Sequence, residues 1–328
     1  MKYSCLMPDN DSYEAHLNTV AQFSQLAFKG QLNITPHLLK MQTRPCHGLQ
    51  QAIKLAWSNG QVVGIVIVSA MTNMAQLDPA LSGAPPLGWV DFIAVDPAHQ
   101  RQGHGSTLLN WAIGWLKDHG CEKVWLGAGI RTFMPGYPAN MGDVTFFTRR
   151  GFVTSDRLCW DVACDLSTAA ASSFAIPAAA SQAIISPLTP AEIPDLLAFF
   201  RREFPGRWRY EFEQFIADGG RPSDYTILRL AGEMHGFCQL TFEDSTRPLE
   251  RYHMQSLPRP WGQLGAIGVS AEVRGHQLGR AMLAGGLTRL HQAGVRGCVI
   301  DWTDLIDFYA KFNFKLFRRY LMMQWVLS

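Results

Sequence analysis

The chain predicts an α/β fold of two tandem domains, each a mixed sheet flanked by helices, and three observations lead there. A glycine-containing loop between an apolar strand and an apolar helix occurs twice. Pro86 and Pro260, Gly88 and Gly262, Gly105 and Gly279, and Gly120 and Gly294 each stand 174 residues apart. A register unbroken from strand entry to helix exit, with so long a period, indicates duplicated domains rather than a solenoid. Hairpin signals also recur ahead of the loop, with Gly60 and Gly232, and Gly64 and Gly236, both 172 residues apart. Finally, 328 residues suit roughly two domains, each long enough to bury its own core.

Taken in order, residues 51–57 and 61–70 read as strands joined across Ser58-Asn59-Gly60, because Asn-Gly between apolar runs favours a tight hairpin turn. The apolar strand 88–95 leads into the loop 100–105. A helix over 106–119 follows, with Leu108, Leu109, Ala112, Ile113 and Leu116 as its apolar stripe and Gly120 where a C-terminal cap belongs. Strand 123–126 closes this series. The second copy repeats it with strands 226–230 and 236–241, a strand from 262, the loop 274–279, a helix over 280–293 and a strand over 298–300. Between Ser167 and Gln182 the sequence turns Ala/Ser-rich around Pro177, with no amphipathic period to anchor it. The expected division is a first domain over 1–166, a linker over 167–182 and a second domain over 183–328.

Composition narrows the function. At 47% hydrophobic and 17% charged residues the chain is globular in character. No apolar run approaches the ~20 residues a membrane span requires, so no membrane association is expected. Residues 1–23 have neither a basic start nor a continuous apolar segment, which makes the cytoplasm the default compartment. Seven scattered cysteines lack the spacing of a zinc site or a disulfide framework and are read as reduced thiols. A formal charge of +2 and the lack of a long Lys/Arg cluster leave no footprint for nucleic acid. A small-molecule partner is favoured, and a monomer or homodimer is expected.

A loop that opens directly into a helix offers unpaired backbone N–H groups and the positive end of the helix dipole to an anion. Pyrophosphate fits such a loop, and on glycine spacing alone a nucleotide-binding loop is an equal reading. However, Ser106 and Thr107 follow Gly105 with no Walker lysine before them, and neither copy has the complete Gly-x-Gly-x-x-Gly pattern. Gln100-Arg101-Gln102-Gly103-His104-Gly105 instead resembles the Gln/Arg-x-x-Gly-x-Gly/Ala signature of the GCN5-related N-acetyltransferase (GNAT) superfamily. The resemblance covers nearly the whole chain as two copies, with motif regions at about 86–153 and 260–315.

The resemblance implies two tandem GNAT domains, each with a mostly antiparallel sheet, and acetyl-CoA as cosubstrate with no metal. It implies that Gln100, Arg101, Gln102, Gly103, His104, Gly105 and Ser106 meet the pyrophosphate, while Ile93, Ala94 and Val95 of a splayed strand pair with the pantetheine arm. In the second copy the cofactor positions fall on Val269, Arg274, Gly275, Gly279 and Arg280. The family often shows an Asn seven residues before a Tyr, followed by Gly-Phe. Asn140 stands seven before Phe147 and is assigned to the cofactor, whereas Trp302 stands seven before Tyr309. Each copy departs from the pattern. Gln277 replaces the first loop glycine of the second copy, and Phe147 of the first cannot donate a proton. The first copy also holds 12 additional residues, within 131–142, whose aromatic, helix-averse composition suits the wall of a pocket.

Acyl transfer from a thioester to an amine needs a neutral amine, a polarised carbonyl and a proton for the departing thiolate. The resemblance assigns that proton to Tyr309; a tyrosine in an aromatic-rich segment is otherwise a core residue. General acid catalysis contributes typically ~10²–10⁴-fold. Asp91 is a second catalytic candidate, as a proton relay through water, against the ordinary reading of a polar strand residue. Asp301, Asp304 and Asp307 could draw a cationic amine, although such residues more often cap helices. The expected function is acetyl-CoA-dependent N-acetylation of a primary amine on a small molecule such as an amino sugar or aminoglycoside. Cofactor binding is expected in the first copy and the acid in the second. The competing class is a non-catalytic acyl-CoA sensor or interaction module.

Overall fold

A computed structural model describes residues 2–6, 13–168 and 174–327. The chain forms two compact units, one of Met1–Cys159 with Arg319–Ser328 and one of Trp160–Arg318.

The first repeat contributes β1 (Lys2–Leu6), α1 (Tyr13–Ala27), α2 (Pro36–Gln42), β2 (Leu49–Ser58), β3 (Gln61–Met71), α3 (Met74–Leu77) and β4 (Leu87–Val95). It continues with α4 (His104–Asp118), β5 (Lys123–Leu126), β6 (Tyr137–Pro138), α5 (Thr145–Thr148) and β7 (Val153–Asp165). The second contributes β8 (Ile184–Pro187), α6 (Ile193–Glu203), α7 (Arg207–Ala217), β9 (Tyr225–Leu230) and β10 (Glu233–Phe242). It ends with β11 (Trp261–Val269), α8 (Leu278–Gln292), β12 (Gly297–Thr303), α9 (Ile306–Ala310) and β13 (Lys315–Val326).

The first unit's sheet runs β1-β2-β3-β4-β5-β13, with only β4 and β5 parallel. The second runs β8-β9-β10-β11-β12-β7, with only β11 and β12 parallel. Both are mixed, mostly antiparallel sheets flanked by helices, as predicted. The β2–β3 hairpin turns through Asn59 and Gly60 at φ 50° and 78°, the positive-φ geometry that matches strand twist. On α4 the predicted stripe Leu108, Leu109, Ala112, Ile113 and Leu116 is buried against Val90 and Val124 of the sheet. Each leucine or isoleucine of the stripe contributes roughly 1.5–3 kcal/mol by leaving water. On α8 the corresponding face is Met282, Leu283, Leu287 and Leu290. β1 and β8 are additional edge strands, short and half-exposed, which carry no alternation that the sequence reading could use.

The division differs from the linker-based one. The end of β7 pairs with β12 inside the second unit, from Gly297↔Asp165 to Thr303↔Trp160, and the end of β13 pairs with β5 inside the first, from Met323↔Leu126 to Val326↔Lys123. Each repeat therefore surrenders its closing strand to the other unit, and the boundary falls within β7. Of the expected linker, 169–173 lies outside the described residues. What is described is packed: Phe174 and Ala180 are buried in the second unit's core beside Leu166. An Ala/Ser-rich segment needs no helical period to dock, since single apolar side chains can plug a core.

Candidate active site

β4 pairs with β3 as far as Val95↔Gly64, but with β5 only as far as Val90↔Leu126. Beyond Val90 the two parallel strands part, and the edge of β4 from Asp91 onward opens onto a cavity of about 930 Å³ in the first unit. Ile93, Ala94 and Val95 line it, as the splayed-strand expectation requires.

The loop after β4 is braced locally. Asp96 accepts a hydrogen bond from the Ala98 N–H at 2.9 Å, and the Gln100 side-chain amide donates to the Val95 carbonyl at 3.0 Å. Arg101 and Gly103 then take positive φ, 62° and 88°, and α4 begins at His104. The first turn of α4, with its free N–H groups, lines the cavity through Gly105 and Ser106. In the second copy the positions 174 residues on are Gly275 and Gln277, at φ 86° and 61°. Each loop thus needs two left-handed residues and supplies glycine at only one of them. Gln277 keeps the backbone shape of Gly103 at a cost of roughly 1–2 kcal/mol for a side chain in that region.

Of the loop residues assigned from sequence, Gln100, Arg101, Gly103, Gly105 and Ser106 line the cavity. Three do not. Gln102 is exposed and bonds back to Ala98. His104 is buried with its ring nitrogen 3.0 Å from the Tyr3 hydroxyl. Asn140 is exposed outside the lining. Asn140 falls within the inserted 131–142, so position seven before the aromatic lies among residues that the second copy lacks.

Asp91 lies on the cavity floor and is only 4% exposed. Gly129 makes its position possible, because a Cβ there would fall 1.9 Å from an Asp91 carboxylate oxygen. In the second copy the residue 174 positions on is Gly265, so no carboxylate repeats. The insertion supplies cavity wall as expected, through Met134, Gly136, Tyr137, Pro138 and Met141. Tyr137 donates to the Met141 carbonyl at 3.1 Å, and its ring meets Phe147 edge to face at 5.7 Å. Burial, with Asp143 nearby, raises its phenol above the usual value. Asp143 itself is held below the usual carboxylate range by hydrogen bonds from the Thr145 hydroxyl and N–H.

Sequence reading missed a basic rim. Arg149 and Arg150 line the cavity with Arg101. Arg150 donates to Ser106 Oγ at 2.6 Å and to the Phe146 carbonyl at 2.5 Å, with its guanidinium 4.0 Å from the Phe146 ring centre. The adjacent pair Arg149-Arg150 was the available signal, but only the fold of α5 against α4 brings it to the loop.

The second copy repeats the splay: β11 follows β10 to Val269 but β12 only to Gln263. Arg274, Gly275 and Arg280 are exposed, Gly279 is half-buried, and Arg280 lies 5.8 Å from the Phe312 ring centre. Tyr309 is 4% exposed in the core of this unit, and burial, with Asp301 near, pushes its phenol up to about 12. It is not among the residues lining the first unit's cavity. Asp301 is engaged by Gln263 at 2.8 Å and Arg251 at 3.1 Å, while Asp304 and Asp307 are exposed. Among the described residues no helix is long and apolar enough to cross a membrane.

The family profile described as Acetyltransferase (GNAT) family matches residues 20–152 and 193–314. No curated protein matches the chain in sequence. Among solved structures, the GCN5-related glucosamine N-acetyltransferase region of a fungal multi-domain GH3 β-N-acetylglucosaminidase superposes with TM-score 0.82 at 22% identity. It covers 99% of this chain but only 38% of that one. A tandem GNAT protein from the clavulanic acid biosynthesis pathway gives 0.69 at 17% identity, over 98% of this chain and 97% of its own. A GCN5-related N-acetyltransferase from Sphaerobacter thermophilus gives 0.64 at 14%, over 98% and 95%. These likenesses show the fold. The two matched regions span most of the chain, and the chain belongs to the acetyltransferase (GNAT) family as a tandem of two such domains.

Proposed function

We propose that the first unit binds acetyl-CoA and transfers its acetyl group to a primary amine of a small molecule, with amino sugars as the acceptor class. The observation that carries this reading is the cavity, floored by the unpaired edge of β4 and closed at one end by the loop, the start of α4 and three arginines. The N–H groups of the first turn of α4 would meet the pyrophosphate. Arg101, Arg149 and Arg150 would neutralise phosphate charge, and unpaired N–H groups along Ile93–Val95 would hold the pantetheine arm and polarise the thioester carbonyl. Asp91, on the floor beside that strand, would take a proton from the incoming amine through water. The likeness to a region described as a glucosamine N-acetyltransferase supports the acceptor class.

A second reading puts catalysis in the second unit, because Tyr309 keeps the family's tyrosine position and its raised phenol stays protonated as a proton donor must. Calorimetry with acetyl-CoA decides how many loops bind: one molecule per chain restricts binding to one unit, and two include the loop of Val269, Arg274, Gly275, Gly279 and Arg280. Release of free CoA is then followed with glucosamine, aminoglycosides, amino acids, polyamines and peptides. Turnover led by glucosamine supports the proposal. Binding without turnover on any amine points instead to an acyl-CoA sensor.

A further inference from the structure

We infer that Tyr137, from the segment present only in the first copy, is the general acid of the first unit and protonates the departing CoA thiolate. The assignment rests on the acetyltransferase reading above. Among the described residues lining the cavity, Tyr137 carries the only phenol, and no cysteine, histidine or lysine lines it. Asp143 lines it too, but hydrogen bonds from Thr145 hold its carboxyl below the usual carboxylate range and so leave it without a proton to give. Asp91 is assigned above to the amine's proton, which leaves the thiolate's proton to a second group.

The two copies of the chain make the case jointly. Where the inserted residues are absent, a tyrosine stands at the motif position, Tyr309; where they are present, the motif position holds Phe147 and the insertion brings Tyr137 onto its edge, 5.7 Å away. Each copy therefore has one phenol in this region, and in the first it has moved by one ring. The displaced phenol is held firmly. β6 pairs with β13 at Leu321↔Tyr137 and Tyr320↔Pro138, and Gly136 lies so close to the Leu321 carbonyl that a Cβ would come within 2.9 Å of it. The hydroxyl donates to the Met141 carbonyl, on the same wall of the cavity. Rotation about the C–O bond alone frees that proton from the carbonyl, with no movement of the ring.

The neutral amine adds to the thioester carbonyl carbon, and collapse of the tetrahedral adduct breaks the C–S bond. The sulfur electron pair takes the Tyr137 proton to give free CoA thiol. The proton lost by the nitrogen, taken up through water by Asp91, then returns to the phenolate.

Tyr137→Phe keeps the ring and its contact with Phe147 and removes only the O–H. With acetyl-CoA and the best amine found, kcat should fall by roughly 10²-fold or more, while KM for acetyl-CoA and the thermal midpoint stay near those of the unaltered protein. Adding Phe147→Tyr to Tyr137→Phe returns a phenol to the motif position and should recover at least about tenfold of the loss. The assignment is overturned if Tyr137→Phe turns over within about threefold of the unaltered protein, or if kcat and acetyl-CoA binding fall together and Phe147→Tyr restores neither. An unaltered protein that binds acetyl-CoA yet acetylates no amine overturns the acetyltransferase reading itself, and this assignment with it.

Discussion

Met323→Ala should destabilise the first unit although residue 323 lies at the far end of the second repeat. Met323 is fully buried in the first unit's core, packed with Val124, Leu126 and Phe152, and its backbone pairs with Leu126 on β5. Truncating a buried methionine to alanine typically costs about 2–5 kcal/mol, from the lost transfer energy and the cavity left behind. At about 1.4 kcal/mol per decade, the lower bound already speeds exchange of amides that open with that core by roughly 30-fold. Hydrogen exchange read by mass spectrometry locates the effect. Peptides covering β2, β3 and β4 should lose protection, and those covering β10, β11 and β12 should not. The reciprocal variant is Val162→Ala, in the first repeat's sequence but fully buried in the second unit against Ile300. It should cost about 2 kcal/mol and reverse the pattern. If Met323→Ala instead opens β10 to β12 and spares β2 to β4, the strand exchange is refuted.

Other outcomes follow from the loop, the second core and one buried imidazole. Gly103 sits at φ 88° with nothing within 4 Å of a built Cβ, so Gly103→Ala should cost roughly 1 kcal/mol from backbone strain alone, read as a lower unfolding midpoint. Gly103→Glu should cost about the same stability, yet weaken acetyl-CoA binding at least about tenfold in calorimetry, because a carboxylate then faces the pyrophosphate. Tyr309→Phe should lose about 1 kcal/mol with the hydrogen bond to Thr303 and leave amine acetylation within about twofold; a hundredfold fall would move catalysis to the second unit. Burial, reinforced by Arg318 and Arg251, lowers His253 from 6.5 to about 3. The unfolded chain therefore binds a proton between those values that the folded second unit refuses. Stability is full above about pH 6.5 and falls on acidification toward pH 3, by up to about tenfold in the folding equilibrium per pH unit. His253→Gln should flatten that profile in acid titrations followed by circular dichroism.

Much of the fold was legible because its signals are short-range. The Asn59-Gly60 turn, the stripe of α4 and the loop glycines act within a few residues of themselves, and their recurrence at a constant offset revealed the second domain. The same locality let Gln100, Gly103, Gly105 and Ser106 be assigned to a cavity that they do line. Asn140, Gln102 and His104 do not line that cavity: Asn140 comes from a motif count, and a loop side chain can face away from the cavity that its neighbours line. Tyr137 falls within 131–142, expected as a pocket wall, but Arg149 and Arg150 lie more than 40 residues beyond the loop, and no periodicity ties them to it.

The amino-acid sequence alone determined that there are two α/β copies, that a glycine-containing loop leads into a helix in each, and that Gln277 stands in the second where the first has Gly103. Only the tertiary structure decided which unit each closing strand completes and which groups face the splayed strand. The physical reason is that backbone N–H and C=O groups along a strand edge are alike in every residue. Partner choice therefore depends on which apolar faces are buried together, a property of the assembled core rather than of any local run.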